Sequence, residues 1–314
     1  MALPTKTCDV AVVGEIYVDH VFSGFKVWPK PGEEVLTDDY AREVGGGAAI
    51  TACGLARLGR RIKLIGQIGL DNAEWIGVRL AGLGVGNEGL RVFEDGATGV
   101  TVSVSTQRDR SFFTHIGVNR TLSVLLADEA AIAELESARH VHFAMPLERR
   151  VAETLLPRLK AAGCTTSLDV GYQPVWLNDD INTQTLQQID YFLPNQKEAE
   201  LWCGVRDEDA FFSRARAFKL AWPMIKLGAR GAVAERSGVR RRVHPPKVDV
   251  VDTTGAGDAF DAGFIDALLD NASVEDCLRR ACFIGALSTR AAGALSALPD
   301  REDLRSLHES LSYP

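Results

Sequence analysis

The residues best suited to chemistry lie in the segment Asp252-Thr-Thr-Gly-Ala-Gly-Asp-Ala-Phe260, between a β-like run at 248–251 and a long helical pattern. Gly255 and Gly257 allow the backbone to approach a ligand closely, and the first turn of a helix presents unpaired N–H groups that bind anions. Asp258 falls in that turn, where the helix dipole favours its charged form. A carboxylate beside a phosphate-binding turn is a candidate general base, so the segment predicts phosphate chemistry.

The elements that must position this segment follow an α/β rhythm. Short β-branched segments alternate with segments whose apolar residues recur at helical spacing. The predicted strands cover 9–14, 62–66, 140–143, 165–169, 191–193, 223–226 and 232–234. The predicted helices cover 46–59, 73–83, 128–138, 148–162, 207–220, 256–269 and 274–291. This alternation predicts a mostly parallel sheet with helices on both faces.

Two segments break the rhythm. Residues 33–44 and 99–117 have the pattern of antiparallel ribbons, and neither is followed directly by a helix. A small β flap projecting from the main sheet accounts for both. Such a flap is half exposed unless it covers a ligand or pairs with a second copy of the chain. We therefore expect a lid formed by segments 15–44 and 97–120, and a homodimer through lid contacts.

The composition limits the class of partner. The 314 residues include 35 Lys and Arg against 42 Asp and Glu, a net charge of -7, whereas a nucleic-acid-binding protein normally carries a basic field. The one basic cluster, 240–242, is expected in a solvated loop. Residues 1–8 hold no apolar run of the kind found in a signal segment, and the sequence has no run of 18 apolar residues. Its six cysteines have no Cys-x-x-Cys spacing. We expect a single cytoplasmic α/β domain over 1–314, with neither nucleic acid nor membrane as partner.

The sequence resembles a known family, the ribokinase-like, PfkB-type carbohydrate kinases. Segment 252–258 matches their C-terminal signature residue for residue, and segment 45–59 is similar to their N-terminal signature. The order and spacing of 13–19, 194–198 and 226–231 also fit. The resemblance implies a ribokinase-like three-layer α/β/α sandwich with a small β-sheet lid. It also implies transfer of the γ-phosphate of ATP to a sugar hydroxyl.

The resemblance assigns roles within the glycine-rich segment. Asp258 would be the general base that takes the proton from the attacking sugar hydroxyl. A carboxylate of ordinary pKa suffices, because phosphoryl transfer is loose and the hydroxyl becomes acidic only as the bond forms. Asp252 and Thr254 would help to hold a monovalent cation such as K⁺. The backbone N–H groups that would hold the transferring phosphate belong to Gly255, Ala256 and Gly257.

ATP and Mg²⁺ are the cofactors that the resemblance implies. Asn195 and Glu198 are similar to the family's Asn-x-x-Glu element, which places Mg²⁺ through water, and one carboxylate is enough because Mg²⁺ keeps several waters. Taken without the family, these two residues are typical of a helix cap with an exposed Glu. The nucleotide would lie against Lys226, Gly228, Gly231 and Cys282. Family members often have Asn at the position of Cys282, so the nucleotide preference stays open.

On the substrate side, similarity makes Asp19 an acceptor of hydrogen bonds from sugar hydroxyls. Tyr17 stands where some sugar kinases of this type have Asn, and Ile50 stands where the N-terminal signature usually has Asn. Gly171 and Gln173 stand where many fructose- and ketogluconate-type members have Asn and Arg. These departures leave the identity of the sugar open. The glycines that would let the backbone approach the sugar are Gly45, Gly46 and Gly47.

Polar flap residues extend the choice of substrate, and we expect Asn119 among the substrate-binding residues. The others that could contact a polar or anionic substituent are Arg108, Arg110, His115 and Arg120, each of which also suits a solvated surface. One alternative is a nucleoside kinase of the same family, with Tyr17 and Ile50 flanking a base, and another is a kinase for an acidic or phosphorylated sugar. A different class is a catalytically silent sugar or nucleotide sensor, although a binding protein has no need of a base.

Overall fold

The computed structural model describes residues 5–106 and 110–305, and strand β1 (Cys8–Gly14) runs through its centre. The strand is an almost continuous apolar run, which is typical of a parallel sheet covered on both faces. Successive side chains of a strand point to opposite faces. Val10 and Val12 accordingly belong to one hydrophobic core, and Ala11 and Val13 belong to the other.

The bounds of the other elements follow the predicted rhythm closely. The further strands are β2 (Tyr17–Phe25), β3 (Tyr40–Gly45), β4 (Ile62–Gly69), β5 (Leu90–Phe93), β6 (Gly99–Thr106), β7 (Arg110–His115), β8 (Ala138–Ala144), β9 (Thr165–Leu168), β10 (Tyr191–Phe192), β11 (Met224–Lys226), β12 (Ala232–Arg236) and β13 (Val239–Val243). The α-helices are α1 (Gly47–Arg57), α2 (Ala73–Ala81), α3 (Leu122–Leu125), α4 (Glu129–Glu136), α5 (Arg149–Ala161), α6 (Pro174–Leu177), α7 (Thr183–Leu186), α8 (Gln196–Cys203), α9 (Glu208–Ala217), α10 (Ala256–Leu269) and α11 (Val274–Leu287).

The main sheet has six parallel strands in the order β10-β9-β8-β1-β4-β5. A three-stranded antiparallel sheet, β11-β12-β13, continues from its β10 side through two parallel bridges, Phe192 with Pro223 and Asn195 with Lys226. The prediction of a mostly parallel sheet is confirmed. The second bridge also brings the start of α8 beside the end of β11, which matters for the site.

Helices cover both faces of the sheet and complete three layers. Apolar residues of α1, α10 and α11 share one core with Val10 and Val12, and those of α4, α5 and α9 share the other with Ala11 and Val13. Both cores consist almost entirely of side chains that are excluded from water, so burial of apolar surface holds the layers together. The predicted α/β sandwich is confirmed.

The small sheet has the strand order β3-β2-β6-β7. β2 pairs antiparallel with β3, and β6 pairs antiparallel with β7. These two antiparallel ribbons are joined by the parallel pairing of β2 with β6. Trp28 and Phe113 stack with ring centroids 6.1 Å apart, and both are about half exposed. Phe112 is equally exposed. We refer to β2, β3, β6 and β7 as the lid.

Three local predictions were wrong. The strand predicted from residue 33 begins only at Tyr40, because the ladder between β2 and β3 starts at the pair Phe22 and Tyr40. The β-like run 248–251 forms no strand. Its Val251 N–H donates to the backbone carbonyl of Thr289, in the turn after α11, instead of to a sheet.

The cluster 240–242 lies in β13 rather than in a loop. Arg240 pairs with Glu235 at 2.9 Å and with Asp209, and Arg242 pairs with Glu208. Arg241 lies 3.9 Å from Glu275 of α11. Acidic partners on β12, α9 and α11 therefore allow three consecutive arginines to occupy a strand. Among the described residues, no helix has both the length and the apolar character needed to cross a membrane.

Candidate active site

The predicted anion-binding turn lies at the start of α10. Gly255, just before the helix, has a φ of 73°, in the left-handed region that favours glycine. A β-carbon there would also lie 2.6 Å from the β-carbon of Ala294, so no side chain fits. Ala256 and Gly257 line a cavity of about 1040 Å³. N–H groups in a first helical turn have no acceptor within the helix, so this turn can hold an anion.

Asp258 lies in the same turn and lines the same cavity. Its carboxyl group reaches across to the start of α1, where a β-carbon on Gly47 would lie 2.8 Å from Asp258 Oδ1. The hydroxyl of Thr51, one turn further along α1, donates to the backbone carbonyl of Asp258 at 3.2 Å. The starts of α1 and α10 therefore converge on one carboxyl group.

The surroundings of Asp258 raise its pKa to about 7, mainly through burial and also through the negative charges of Asp169 and Asp19. The positive charge of Lys226 acts in the opposite direction. A carboxyl group with a pKa near neutral is half ionised at pH 7 and is a stronger base than an ordinary aspartate. That is the property of a general base.

A buried ion cluster forms the floor of the cavity. Lys226 Nζ donates to Asp169 Oδ2 at 2.5 Å and to both carboxylate oxygens of Asp261, at 3.1 and 3.2 Å. Carboxylate oxygens of Asp169, Asp258 and Asp261 lie within 4.8 Å of one another. The ammonium group lowers the pKa of Asp169 to about 2, whereas burial raises that of Asp261 well above its ordinary value.

Asn195 and Glu198 form both halves of a capping box at the start of α8. Asn195 Oδ1 accepts from the Glu198 N–H at 3.1 Å, and Glu198 Oε2 accepts from the Asn195 N–H at 2.8 Å. The cap is therefore real, but Glu198 is buried rather than exposed, and both residues line the cavity. Burial and the charge of Asp169 raise the pKa of Glu198 to about 8.

The residues expected on the nucleotide side surround one end of the cavity. Gly228 and Gly231 line it beside a short turn after β11. A β-carbon on Gly231 would lie 1.8 Å from the carbonyl oxygen of Val243, and its φ is 82°, so only glycine fits. Cys282, on α11, also lines the cavity, and burial raises the pKa of its thiol to about 12. The side chain of Lys226 lies with the carboxylates of the floor.

The residues expected on the substrate side include several carboxyl groups. Glu15 lines the cavity and accepts a hydrogen bond from the hydroxyl of Tyr17 at 2.9 Å. Asp19 pairs in register with Glu43 across β2 and β3, and burial together with Glu43 raises the pKa of Asp19 to about 7. The carboxylate of Asp19 fills the space that a side chain on Gly45 would need. Gly46 caps α1, and Gly47 lines the cavity.

Asn119, expected among the substrate-binding residues, is bonded to the backbone near Glu15. Its side chain is buried and holds both backbone polar groups of Ile16: Oδ1 accepts from the Ile16 N–H at 3.2 Å, and Nδ2 donates to the Ile16 carbonyl at 2.9 Å. It therefore fixes the segment between Glu15 and Asp19. His115 and Arg120 are exposed on the lid side. Arg108 and the side chain of Arg110 lie outside the described residues.

The residues expected at a monovalent cation lie just before the anion turn. Asp252 Oδ1 accepts from the N–H and hydroxyl groups of Thr254 at 2.9 and 2.7 Å, and Oδ2 accepts from the Gly293 N–H at 3.0 Å. Neither Asp252 nor Thr254 lines the cavity. Asp252 thus ties the loop before α10 to the loop after α11.

Asp169, Asp261 and Glu15 were not singled out by their sequence positions. Asp169 follows β9, at the carboxyl end of a parallel strand, where ligands of open α/β sheets bind. Asp261 stands three residues after Asp258 on α10 and so shares its helical face. The three-residue spacing could have predicted that Asp261 lies beside Asp258. The contact between Asp261 and Lys226 could not be predicted in this way, because only the fold brings these two residues together.

An α/β sandwich in which a helix N-terminus and a half-buried carboxyl group line one cavity, with a small separate sheet beside the main one, belongs to the ribokinase-like phosphotransferases. The chain belongs to the pfkB family of carbohydrate kinases, whose profile matches residues 8–301. The resemblance seen in segments 45–59 and 252–258 is thereby confirmed.

Named relatives and solved structures that resemble this chain are also kinases. The chain is 30% identical over 303 residues to the ribokinase of Haemophilus influenzae, with 94% of this chain and 96% of that protein covered. It is 33% identical over 272 residues to the ATP-dependent ribose-1-phosphate kinase of Halopiger xanaduensis, with 86% and 88% covered. A structure of Arabidopsis thaliana ribokinase complexed with ribose and ATP matches with a TM-score of 0.84 and 26% identity over 100% of both chains. The ribokinase-like fold and the expected kinase class are confirmed.

Proposed function

We propose that this kinase transfers the γ-phosphate of ATP to a hydroxyl group of a neutral sugar. Asp258 is the general base, and the backbone N–H groups of Gly255, Ala256 and Gly257 form the anion hole. One observation carries the proposal: the half-buried carboxyl group of Asp258 lines the same cavity as Ala256 and Gly257, within a single helical turn. Base and anion site are therefore within reach of one pair of bound reactants.

In the proposed step, the sugar hydroxyl oxygen attacks the γ-phosphorus of ATP. A new P–O bond forms, the bond from the γ-phosphorus to the β–γ bridging oxygen breaks, and ADP leaves with that electron pair. Asp258 accepts the hydroxyl proton as the bond forms. Because such transfers are loose, most of the rate comes from alignment and from charge stabilisation on the phosphoryl oxygens.

Asn195 and Glu198 would hold Mg²⁺, through waters. An amide and a carboxyl group offer the oxygen ligands that Mg²⁺ prefers, and both residues line the cavity. The pKa of Glu198, about 8, is that of a buried carboxyl group that a nearby cation would help to ionise. Bound Mg²⁺ supplies charge neutralisation at the phosphates. ATP itself would lie along Gly228, Gly231 and Cys282.

A monovalent cation such as K⁺ would bind beside Asp252 and Thr254. Asp252 is a buried carboxylate that fixes both loops next to the anion hole, so a cation there would favour its charge and steady the loops. The expected result is a higher turnover number in potassium than in sodium at equal ionic strength. Equal rates in both salts would contradict this part of the proposal.

Charge favours a neutral sugar over an anionic one. Among the described residues that line the cavity, the cations are Lys226 and Lys247, whereas Glu15 faces the sugar side with Asp19 and Glu43 nearby. An acidic or phosphorylated sugar would bring negative charge against these carboxyl groups. The relative from Halopiger xanaduensis is named for a sugar phosphate, so both classes belong in the test.

The nucleoside alternative has less support. It required Tyr17 and Ile50 to flank a base. The ring of Tyr17 packs beside Gly99, its hydroxyl is bound to Glu15, and Ile50 is buried against Gly255. Neither side chain lines the cavity.

A homodimer through the lid is the proposed assembly, and the cytoplasm is the proposed location. The exposed rings of Trp28 and Phe113 stack into an apolar patch at the lid that a second copy would cover. The six cysteines are unpaired thiols, as is usual in a reducing compartment. Phe113→Glu should shift the mass in light scattering from dimer to monomer, while Val205→Glu, at an exposed valine outside the lid, should not. A monomeric wild-type protein would refute the dimer.

The central experiment is an ADP-release assay with ATP and Mg²⁺. Neutral pentoses and hexoses, acidic sugars, sugar phosphates and nucleosides are compared as acceptors. Asp258→Asn should fold normally and lose turnover by at least about a thousandfold, whereas the exposed Asp95→Asn should retain it. Near-normal turnover in Asp258→Asn refutes the assigned base, and sugar binding without ADP release across the panel would instead support a silent sensor.

A further inference from the structure

We propose that the ammonium group of Lys226 binds the transferring phosphate directly, held in position by Asp169 and Asp261. This inference rests on the proposed function and deepens it. It assigns the phosphoryl group a third partner besides the anion turn and Mg²⁺. It also gives Lys226 a different role from the expected one, which was contact with the nucleotide through the loop after β11.

The first observation is how firmly the ammonium is held. Asp169 Oδ2 lies 2.5 Å from Nζ, and both oxygens of Asp261 lie at nearly equal distances of 3.1 and 3.2 Å. One N–H shared between the two Asp261 oxygens accounts for both of the longer contacts. An ammonium has three N–H donors. Two are then directed to carboxylates, and the third is available to a ligand in the cavity that Lys226 lines.

The second observation is where the ammonium lies. A β-carbon built on Gly257 would be only 3.6 Å from Lys226 Nζ. The charge is therefore next to the backbone of the anion turn, and the backbone and the ammonium can reach the same bound anion. The side chain reaches this position because β11 ends beside the start of α8, with Lys226 opposite Asn195.

The third observation is the balance of charge. Four acidic side chains surround the floor of the cavity, and one buried ammonium lies among them: Asp169, Asp258, Asp261 and Glu198 are the acids. The other cation that lines the described cavity, Lys247, is exposed. A transferring phosphate adds negative charge beside the ionised Asp169. Lys226 is the cation positioned to offset it, and its two carboxylates keep it from turning away.

No covalent step is added to the proposed reaction. The ammonium stays protonated and stabilises negative charge on the phosphoryl oxygens. A preorganised donor of this kind contributes most in the transition state, so its loss should reduce turnover more than nucleotide binding. A residue that only lined the nucleotide loop would weaken ADP and ATP alike.

The test compares four proteins with the wild type. Lys226→Met removes the charge, and Lys226→Met combined with Asp169→Asn removes both charges of the ion pair, which protects the fold from an unpaired buried carboxylate. Asp169→Asn alone keeps the ammonium paired with Asp261. Lys160→Met, on the exposed face of α5, is the control for loss of a lysine. Thermal unfolding selects the folded variants. The measurements are the turnover number and the calorimetric affinities for ADP and for a non-hydrolysable ATP analogue.

We expect the folded Lys226 variants to lose turnover by about a hundredfold or more, the cost of one anion-hole donor. They should bind the ATP analogue about tenfold more weakly and ADP within twofold of the wild type. Asp169→Asn alone should lose clearly less. Turnover within threefold of the wild type, or equal weakening of ADP and the analogue, overturns the proposal. If the wild type phosphorylates no acceptor, the proposed function fails, and the comparison of ADP with the analogue still tests Lys226.

Discussion

Asp258 occupies the space that a side chain on Gly47 would need. A β-carbon at residue 47 would lie 2.8 Å from Asp258 Oδ1, although the two residues are far apart in the chain. Each stands in the first turn of its helix, α1 or α10. The two segments that resemble family signatures, 45–59 and 252–258, therefore meet at a single carboxyl group.

This contact predicts the effect of Gly47→Ala. The methyl group would displace the Asp258 carboxyl group from its position beside the reacting hydroxyl, so we expect turnover to fall by about ten- to a hundredfold. Alanine favours helices, so helical stability should not suffer. Gly82→Ala, where a β-carbon meets only ordinary contacts, is the matched control and should retain activity. Unchanged turnover in Gly47→Ala would show that the carboxyl does not act from this position.

The rate should depend on pH through the base. With a pKa of about 7, Asp258 is protonated below neutrality, so kcat/KM for the sugar should rise about tenfold per pH unit below pH 7 and level off above it. The charged groups around it are Asp19 from β2, Asp169 after β9, Glu198 from α8, Lys226 from β11 and Asp261 from α10.

Asp19 also has a pKa of about 7, so the profile should be repeated in Asp19→Asn. The acidic limb should persist there at a lower rate. A profile that is flat between pH 5.5 and 8 in both proteins would exclude Asp258 as the titrating base.

The raised pKa of Asp258 should also make the free energy of unfolding depend on pH. The native state raises the pKa of Asp258 from 3.8 to about 7, so the folded protein holds this proton longer than the unfolded chain. The ligand-free protein should therefore lose stability as pH rises from about 4 to 7. Asp258→Asn removes this loss and should be more stable than the wild type at pH 8, by at most about 4 kcal/mol.

Urea denaturation at pH 8 and at pH 4 measures this difference, which should vanish at the lower pH. Asp95→Asn, at an exposed position, should give equal differences at both values. An Asp258→Asn protein that is less stable than the wild type at pH 8 would contradict the conclusion that the ionised Asp258 carboxylate destabilises the ligand-free fold.

Asn119 should contribute to stability rather than to substrate contact. Asn119→Ala leaves the buried N–H and carbonyl groups of Ile16 without their partners, so we expect a loss of about 2 to 4 kcal/mol in the free energy of unfolding. Arg120→Ala, at the exposed neighbour, should change it by less than about 0.5 kcal/mol. A stable Asn119→Ala protein with a raised KM for the sugar would restore the original expectation.

Local patterns predicted the alternating elements and the turn at 252–258, because glycine spacing and helix starts are properties of neighbouring residues. Long-range pairing was not accessible in this way. Asn119 was expected to face the substrate, since nothing near it in sequence reveals its partner Ile16. Residues 226, 228, 229 and 231 line the cavity, but the direction of the Lys226 side chain depends on Asp169 and Asp261, which only the folded sheet and α10 bring together.

The capping box of Asn195 and Glu198 also shows which features a local sequence pattern can predict and which it cannot. Its hydrogen bonds could be anticipated from the three-residue spacing, and they form. The burial of Glu198 could not, because it depends on β11 lying beside α8. One local pattern thus serves as a cap and also presents an acid to the cavity.

The arginines of β13 have a consequence for how copies of this chain can meet. β13 is the last strand in its sheet, and an uncovered edge strand is a template for further strand addition. Three bulky cations, each paired with an acid of the same chain, resist the approach of a second edge. The three-stranded sheet therefore ends in a charged edge that discourages pairing with a strand of another copy.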